Sequence, residues 1–249
     1  MLAVEAVTDR SDRRVDASLG QPGEAAYWQR QDRRGPNPRV STKLRAIQHE
    51  GNAMSIRSRS RLVGQVSIAA SALIIVSQSV NLGLGLVISV QSADSIVHTL
   101  KYGLAILAMY VLLLSLTGLY LRQADSAGKL GLAGYLVAFL GTLLLAGDWW
   151  FESFIAPRLA AVAPEVMTGA ITGSMAVGAG ATFGLFALGW TLFGIATFRA
   201  KVYPRPAAAL LMIGGVVGIL AGSTPYQIPL AIAVGWIGFS LTRSDPDQG

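Results

Sequence analysis

The chain has no cysteine, only two histidines and few charges, with Lys, Arg, Asp and Glu making up 14% of its 249 residues. Without cysteine there is no disulfide framework, no thiolate metal ligand and no thiol nucleophile. Two histidines, of which only His98 lies near an apolar run, leave little for haem or other redox ligation. No Gly-rich phosphate loop and no Ser-His-Asp arrangement is visible, so no cofactor is expected. What the chain has in quantity is apolar sequence. Hydrophobic residues make up 52%, and that share beside so little charge fits a membrane protein better than a soluble one.

The charge is segregated. Twelve of the 20 Lys and Arg lie in residues 1–61, a stretch rich in Arg, Asp, Gly, Pro, Ser and Gln. It holds too few apolar residues to offset the entropy of ordering, and is expected to be a disordered basic cytoplasmic tail. The pairs Arg13-Arg14 and Arg33-Arg34 invite a twin-arginine export reading, but no apolar segment follows closely. Acids interspersed through the tail, such as Asp12, Asp16 and Asp32, dilute its field, so nucleic acid is not an expected partner. Val40, Leu44 and Ile47, with Ser41 as cap and Gly51 as stop, suit a short interfacial helix. From Met54 the chain reads Met54-Ser55-Ile56-Arg57 and then a long apolar run, which is how many bacterial membrane proteins begin. On this hypothesis residues 1–53 are an over-extended start, and any peptide from them in a mass spectrum of the native protein rules it out.

From Leu62 to Val90 no residue is charged, which at about 1.5 Å per helical residue is ample for roughly 30 Å of hydrocarbon. The run is polar for a spanning helix. Gln65, Ser67, Ser71, Ser77, Gln78, Ser79 and Asn81 need partners, and such residues usually hydrogen-bond across a bundle. Further apolar runs cover residues 102–121, 130–154, 171–198, 207–223 and 225–242. The expected fold is therefore all-α: a bundle of six transmembrane helices over residues 62–249. Counting Lys and Arg by side places both termini in the cytoplasm, because with that orientation only Lys101 and Arg158 fall outside.

Small residues recur at helical spacing: Gly134, Ala138 and Gly141, then Gly180, Gly184, Ala187 and Gly194, then Gly214, Gly218 and Gly222. In lipid such faces let backbones approach closely, within the bundle or between copies in a homo-oligomer. Following Gly134, Ala138, Gly141 and Leu145 by steps of three and four leads to Asp148 and Glu152, so both carboxylates are expected to look into the outer mouth of the bundle. Their available partners are Lys101, His98 and Arg158. One reading is a polar plug that pairs Asp148 and Glu152 with Lys101 or Arg158, with Trp149 and Trp150 in the interfacial aromatic belt. A second gathers Asp94, His98, Asp148 and Glu152 around a divalent metal ion, although the spacing is not diagnostic. A third gives the acids a cationic or protonatable ligand, yet no span carries an ionisable residue near its centre, where an ion-coupled pump usually has one.

The segment Gly147-Asp148-Trp149-Trp150-Phe151-Glu152-Ser153-Phe154 with Pro157, and Leu188-Gly189-Trp190-Thr191-Leu192-Phe193-Gly194 leading to Arg199-Ala200-Lys201-Val202-Tyr203-Pro204-Arg205, resembles a group of small uncharacterised bacterial multi-pass integral-membrane proteins. The resemblance covers about residues 62–242 and implies architecture without any activity. The expectation is a non-enzymatic bacterial inner-membrane protein acting through helix packing and through partner or lipid contacts. The alternative is a small transporter or ligand-binding protein with an acidic outer vestibule.

Overall fold

The computed structural model of the chain describes residues 38–85, 96–165, 172–220 and 225–243. Those residues are helical apart from short connections, with no strand among them. Among the described residues six α-helices and one helical turn follow in order, beginning with α1 Pro38–Gly85, α2 Ile96–Phe154, the short α3 Ala156–Val162, α4 Gly173–Ala200 and α5 Arg205–Val217, which tightens into a 3₁₀ turn at Gly218–Leu220. The last helix, α6, is Ile228–Arg243. The chain divides into two compact units, Met1–Met54 and Ser55–Gly249. In the first, residues 38–54 are helical, although they belong to the stretch expected to be disordered. Gly51 does not stop this helix; a single glycine costs a helix only about 1 kcal/mol.

Three helices are long and apolar enough to cross a membrane: Ser58–Gly83 within α1, Ile96–Phe154 and Gly173–Ala200. Arg205–Leu220 and Ile228–Arg243 are apolar but shorter. The 59-residue α2 combines two expected runs, because residues 122–127 stay helical instead of forming a loop. Its one break is Gly128, at φ 56° and ψ −151°. A side chain is strained there, and glycine is not. The break reverses the chain: His98 meets Glu152, Ser153 meets Thr99, and Thr117 meets Tyr135. α2 is thus an antiparallel hairpin of two legs, 96–127 and 129–154.

Neighbouring helices in the second unit approach almost backbone to backbone, and glycine makes this feasible. A Cβ added at Gly141 would overlap the Phe186 amide, and one at Gly189 would overlap the Ala138 amide, so the second leg of α2 and α4 touch along their small-residue faces. Gly194 sits 2.7 Å, measured from such a Cβ, from the Met212 nitrogen on α5, and Gly214 sits 2.8 Å from Leu230 Cα on α6. α6 returns to α1, where Gly64 and Gly238 face each other's carbonyl oxygens. The face expected on α4 is only half right: Gly194 packs, while Gly180 and Gly184 look into open space. Gly222 lies outside the described residues.

The core contains Phe186, Trp190 and Phe193 from α4, with Trp190 and Phe193 meeting edge to face at 6.0 Å. Several buried polar side chains find partners across the bundle, while Ser77 Oγ has none among the described residues. Ser67 pairs with Ser115 at 2.7 Å, Gln123 Nε2 donates to Thr197 Oγ1 at 2.9 Å, and Gln78 Nε2 donates to Gln227 Oε1 at 3.0 Å. Ser79 and Asn81 instead bond carbonyls of their own helix.

Candidate functional site

The first leg of α2 brings down His98, Lys101 and Tyr102; the second carries up Asp148, Trp149, Trp150 and Glu152, and the antiparallel hairpin sets these two groups side by side. His98 Nε2 lies 2.9 Å from the Glu152 backbone carbonyl, and the neutral ring donates there when the proton is on that nitrogen. The imidazole tilts against Tyr102 at 4.8 Å between centroids. Lys101 Nζ lies 4.8 Å from the Tyr102 ring centre, a cation–π contact. Ser153 Oγ donates to the Thr99 carbonyl at 3.4 Å.

Asp148 and Glu152 are both half-buried, one helical turn apart on the small-residue face, as the stepping of Gly134, Ala138, Gly141 and Leu145 predicts. Glu152 lies within electrostatic reach of Asp148, His98 and Lys101. Among the described residues, no salt bridge joins either carboxylate to Lys101 or to Arg158. Arg158 sits exposed on α3. Lys101 and the two carboxylates are therefore neighbours through space, not direct ion pairs. Asp94 lies outside the described residues, and among those described no group of three His, Asp or Glu side chains is arranged to hold a metal ion.

The two tryptophans expected in an interfacial belt diverge. Trp149 is only 6% exposed and belongs to the core, because the face that carries Leu145 also carries residue 149 inward. Trp150 is 50% exposed and stacks at a tilt on Phe154, 5.7 Å between centroids.

The opposite end is basic. Arg122, in the last third of the first leg of α2, donates through Nη1 to Ser60 Oγ on α1. Arg199 is in the last turn of α4, which Lys201 terminates in the left-handed conformation at φ 57°. Tyr203 is buried in the turn between α4 and α5 and donates its hydroxyl to the Leu119 carbonyl at 2.9 Å. Burial raises the Tyr203 phenol above its usual pKa, and the charge of nearby Arg122 opposes that rise. Arg205 opens α5, its guanidinium carbon 5.9 Å from the Phe198 ring centre. Nothing in the sequence around Tyr203 distinguishes this buried anchor from an interfacial aromatic.

Comparison with known proteins finds no matching family model, no matching curated protein and no matching solved structure.

Proposed function

We propose that this protein is a multi-pass membrane protein of the bacterial inner membrane, its six helical legs crossing the bilayer with both termini cytoplasmic. It works without catalysis, through helix packing and contacts with lipid or partner proteins. The observation that carries this reading is the segregation of charge along alternating legs. Arg59, Arg61, Arg122, Lys129, Arg199, Lys201, Arg205 and Arg243 fall at one end, and Lys101 and Arg158 at the other. Positive residues favour the cytoplasmic side. The absence of cysteine makes the test clean, because a single introduced cysteine is the sole thiol. In intact cells a membrane-impermeant maleimide is expected to label Glu165→Cys and to leave Ser126→Cys unlabelled; the reverse pattern overturns the orientation, and labelling of both overturns the leg count.

A second reading rests on one observation: Asp148 and Glu152 are half-buried without a direct ionic partner in Lys101 or Arg158. Half-buried carboxylates attract cations, so this end suits a small transporter or ligand-binding protein whose outer vestibule takes a cationic or protonatable molecule. Under it, amines or divalent cations raise the melting temperature of the detergent-solubilised protein, and the Asp148→Asn, Glu152→Gln double variant abolishes the rise. No rise with any cation removes the reading.

A further inference from the structure

We infer that the corner between α4 and α5 is a binding site for the phosphate of an anionic phospholipid. The inference rests on the membrane reading above and names the lipid class that its basic end takes. Four cations surround the corner. Arg199, Lys201 and Arg205 are exposed within seven residues of one another, and Arg122 lies near enough to Tyr203 for its charge to act on that phenol. The corner is fixed, unlike most basic loops. Lys201 ends α4, the buried Tyr203 is tied to the Leu119 carbonyl, and Pro206 stiffens the first turn of α5. Cations on a fixed frame lose little entropy when they engage a phosphate, so the site is partly pre-organised.

Apolar surface beside these charges selects a lipid over free phosphate or nucleic acid. Phe198 is 39% exposed next to Arg199 and under the Arg205 guanidinium, and Leu121 is 68% exposed next to Arg122. Headgroup phosphate on the guanidinium and ammonium groups, with an acyl chain along Leu121 and Phe198, satisfies both surfaces at once. A free anion leaves the apolar half in water. Between Arg122 and Lys129 and between Arg199 and Arg205 the one carboxylate is Asp125, against five cations.

The test uses the full chain purified in a neutral detergent, with lipid retention read by native mass spectrometry. Phosphatidylglycerol is expected to be retained well above phosphatidylcholine at equal concentration. Each cation removed in the Arg199→Gln, Lys201→Gln, Arg205→Gln series is expected to weaken that preference about fivefold, the equivalent of about 1 kcal/mol per cation at an anionic surface. The Arg199→Lys, Arg205→Lys variant keeps its charge and most of the preference, which separates charge loss from misfolding. Millimolar inorganic phosphate should fail to displace the lipid, whereas competition by it shows a plain anion site and overturns the lipid assignment. Equal retention of the two lipids, or a preference that survives the triple variant, also overturns it. Failure of the membrane reading is seen separately, as wild-type protein that leaves the membrane fraction without detergent.

Discussion

Trp190 donates its indole N–H to Thr142 Oγ1 at 3.0 Å, and the Thr142 hydroxyl in turn donates to the Ala138 carbonyl at 2.7 Å, so one hydroxyl joins α4 to the second leg of α2. Both residues are fully buried. Thr142→Val keeps the shape, removes the acceptor and strands the indole. The expected cost is about 1 kcal/mol, between a typical membrane hydrogen bond and the full penalty of an unpaired buried donor. Thermal unfolding in detergent measures it. Adding Trp190→Phe should cost less than the sum of the two single changes, since the stranded donor is gone; strict additivity would show that the bond contributes nothing.

Two glycines of α4 should respond to the same substitution with opposite sign. Gly189→Ala drives a methyl into the Ala138 amide, where only backbone can yield, and is expected to destabilise by about 3 kcal/mol or more. Gly184→Ala meets nothing within 4 Å and should stabilise by roughly 0.5–1 kcal/mol through helix propensity. A loss at Gly184 would show that this face is occupied, as it would be by a second copy of the chain.

Alkaline pH should loosen the basic corner. The buried Tyr203 phenol has its pKa raised, with burial the main cause. In the unfolded chain the phenol ionises near its usual value of about 10, while in the folded chain it stays neutral to higher pH. Stability that is intact below that value therefore falls as pH rises above it. Tyr203→Phe should flatten that fall while lowering stability at neutral pH by up to about 1 kcal/mol through loss of the Leu119 bond. Parallel melting curves for wild type and variant across pH 9–11 would refute the assignment.

The helix break at Gly128 gives a fourth test. Gly128→Ala keeps helix propensity high but places a side chain at φ 56°, ψ −151°, at an expected cost of about 1–3 kcal/mol. The loss should appear as weaker pairing of the two α2 legs, read from cross-linking of cysteines introduced at Thr99 and Ser153.

Most of the helices were legible from apolar runs, and so were the segments in which the chain reverses, since Gly128 and Lys201 both fall in the gaps between runs; how far each helix continues into such a gap was not. The stretch Arg122-Gln123-Ala124-Asp125-Ser126-Ala127-Gly128-Lys129 reads as a polar loop, yet Gln123 is buried against Thr197 and the chain stays helical to Gly128. Polarity marks where water or another helix is near; it does not say which. The stepping from Gly134 to Glu152 located the carboxylates on the right face because it depends only on helix periodicity. The packing glycines of α4 are a different matter. Gly184 and Gly189 look alike in sequence, and which of them meets α2 depends on where that helix crosses. Trp149 and Trp150, by contrast, could be told apart, because the step of four from Leu145 carries residue 149 inward and leaves residue 150 exposed.

The contact of α6 with α1 has a consequence for how the chain is made. α1 emerges first with Gly64, Ser67, Ser71 and Gln78 on the side that α6 later covers, and Gln78 waits 149 residues for Gln227. At roughly 5–20 residues per second of synthesis, that interval lasts on the order of ten seconds or more. During it the α2 hairpin, whose legs are close in sequence, can pair and can offer Ser115 to Ser67, while Gly64, Ser71 and Gln78 still lack their neighbours. A chain cut short before Gln227 lacks both the partner of Gln78 and the glycine face that covers Gly64 and Ser71.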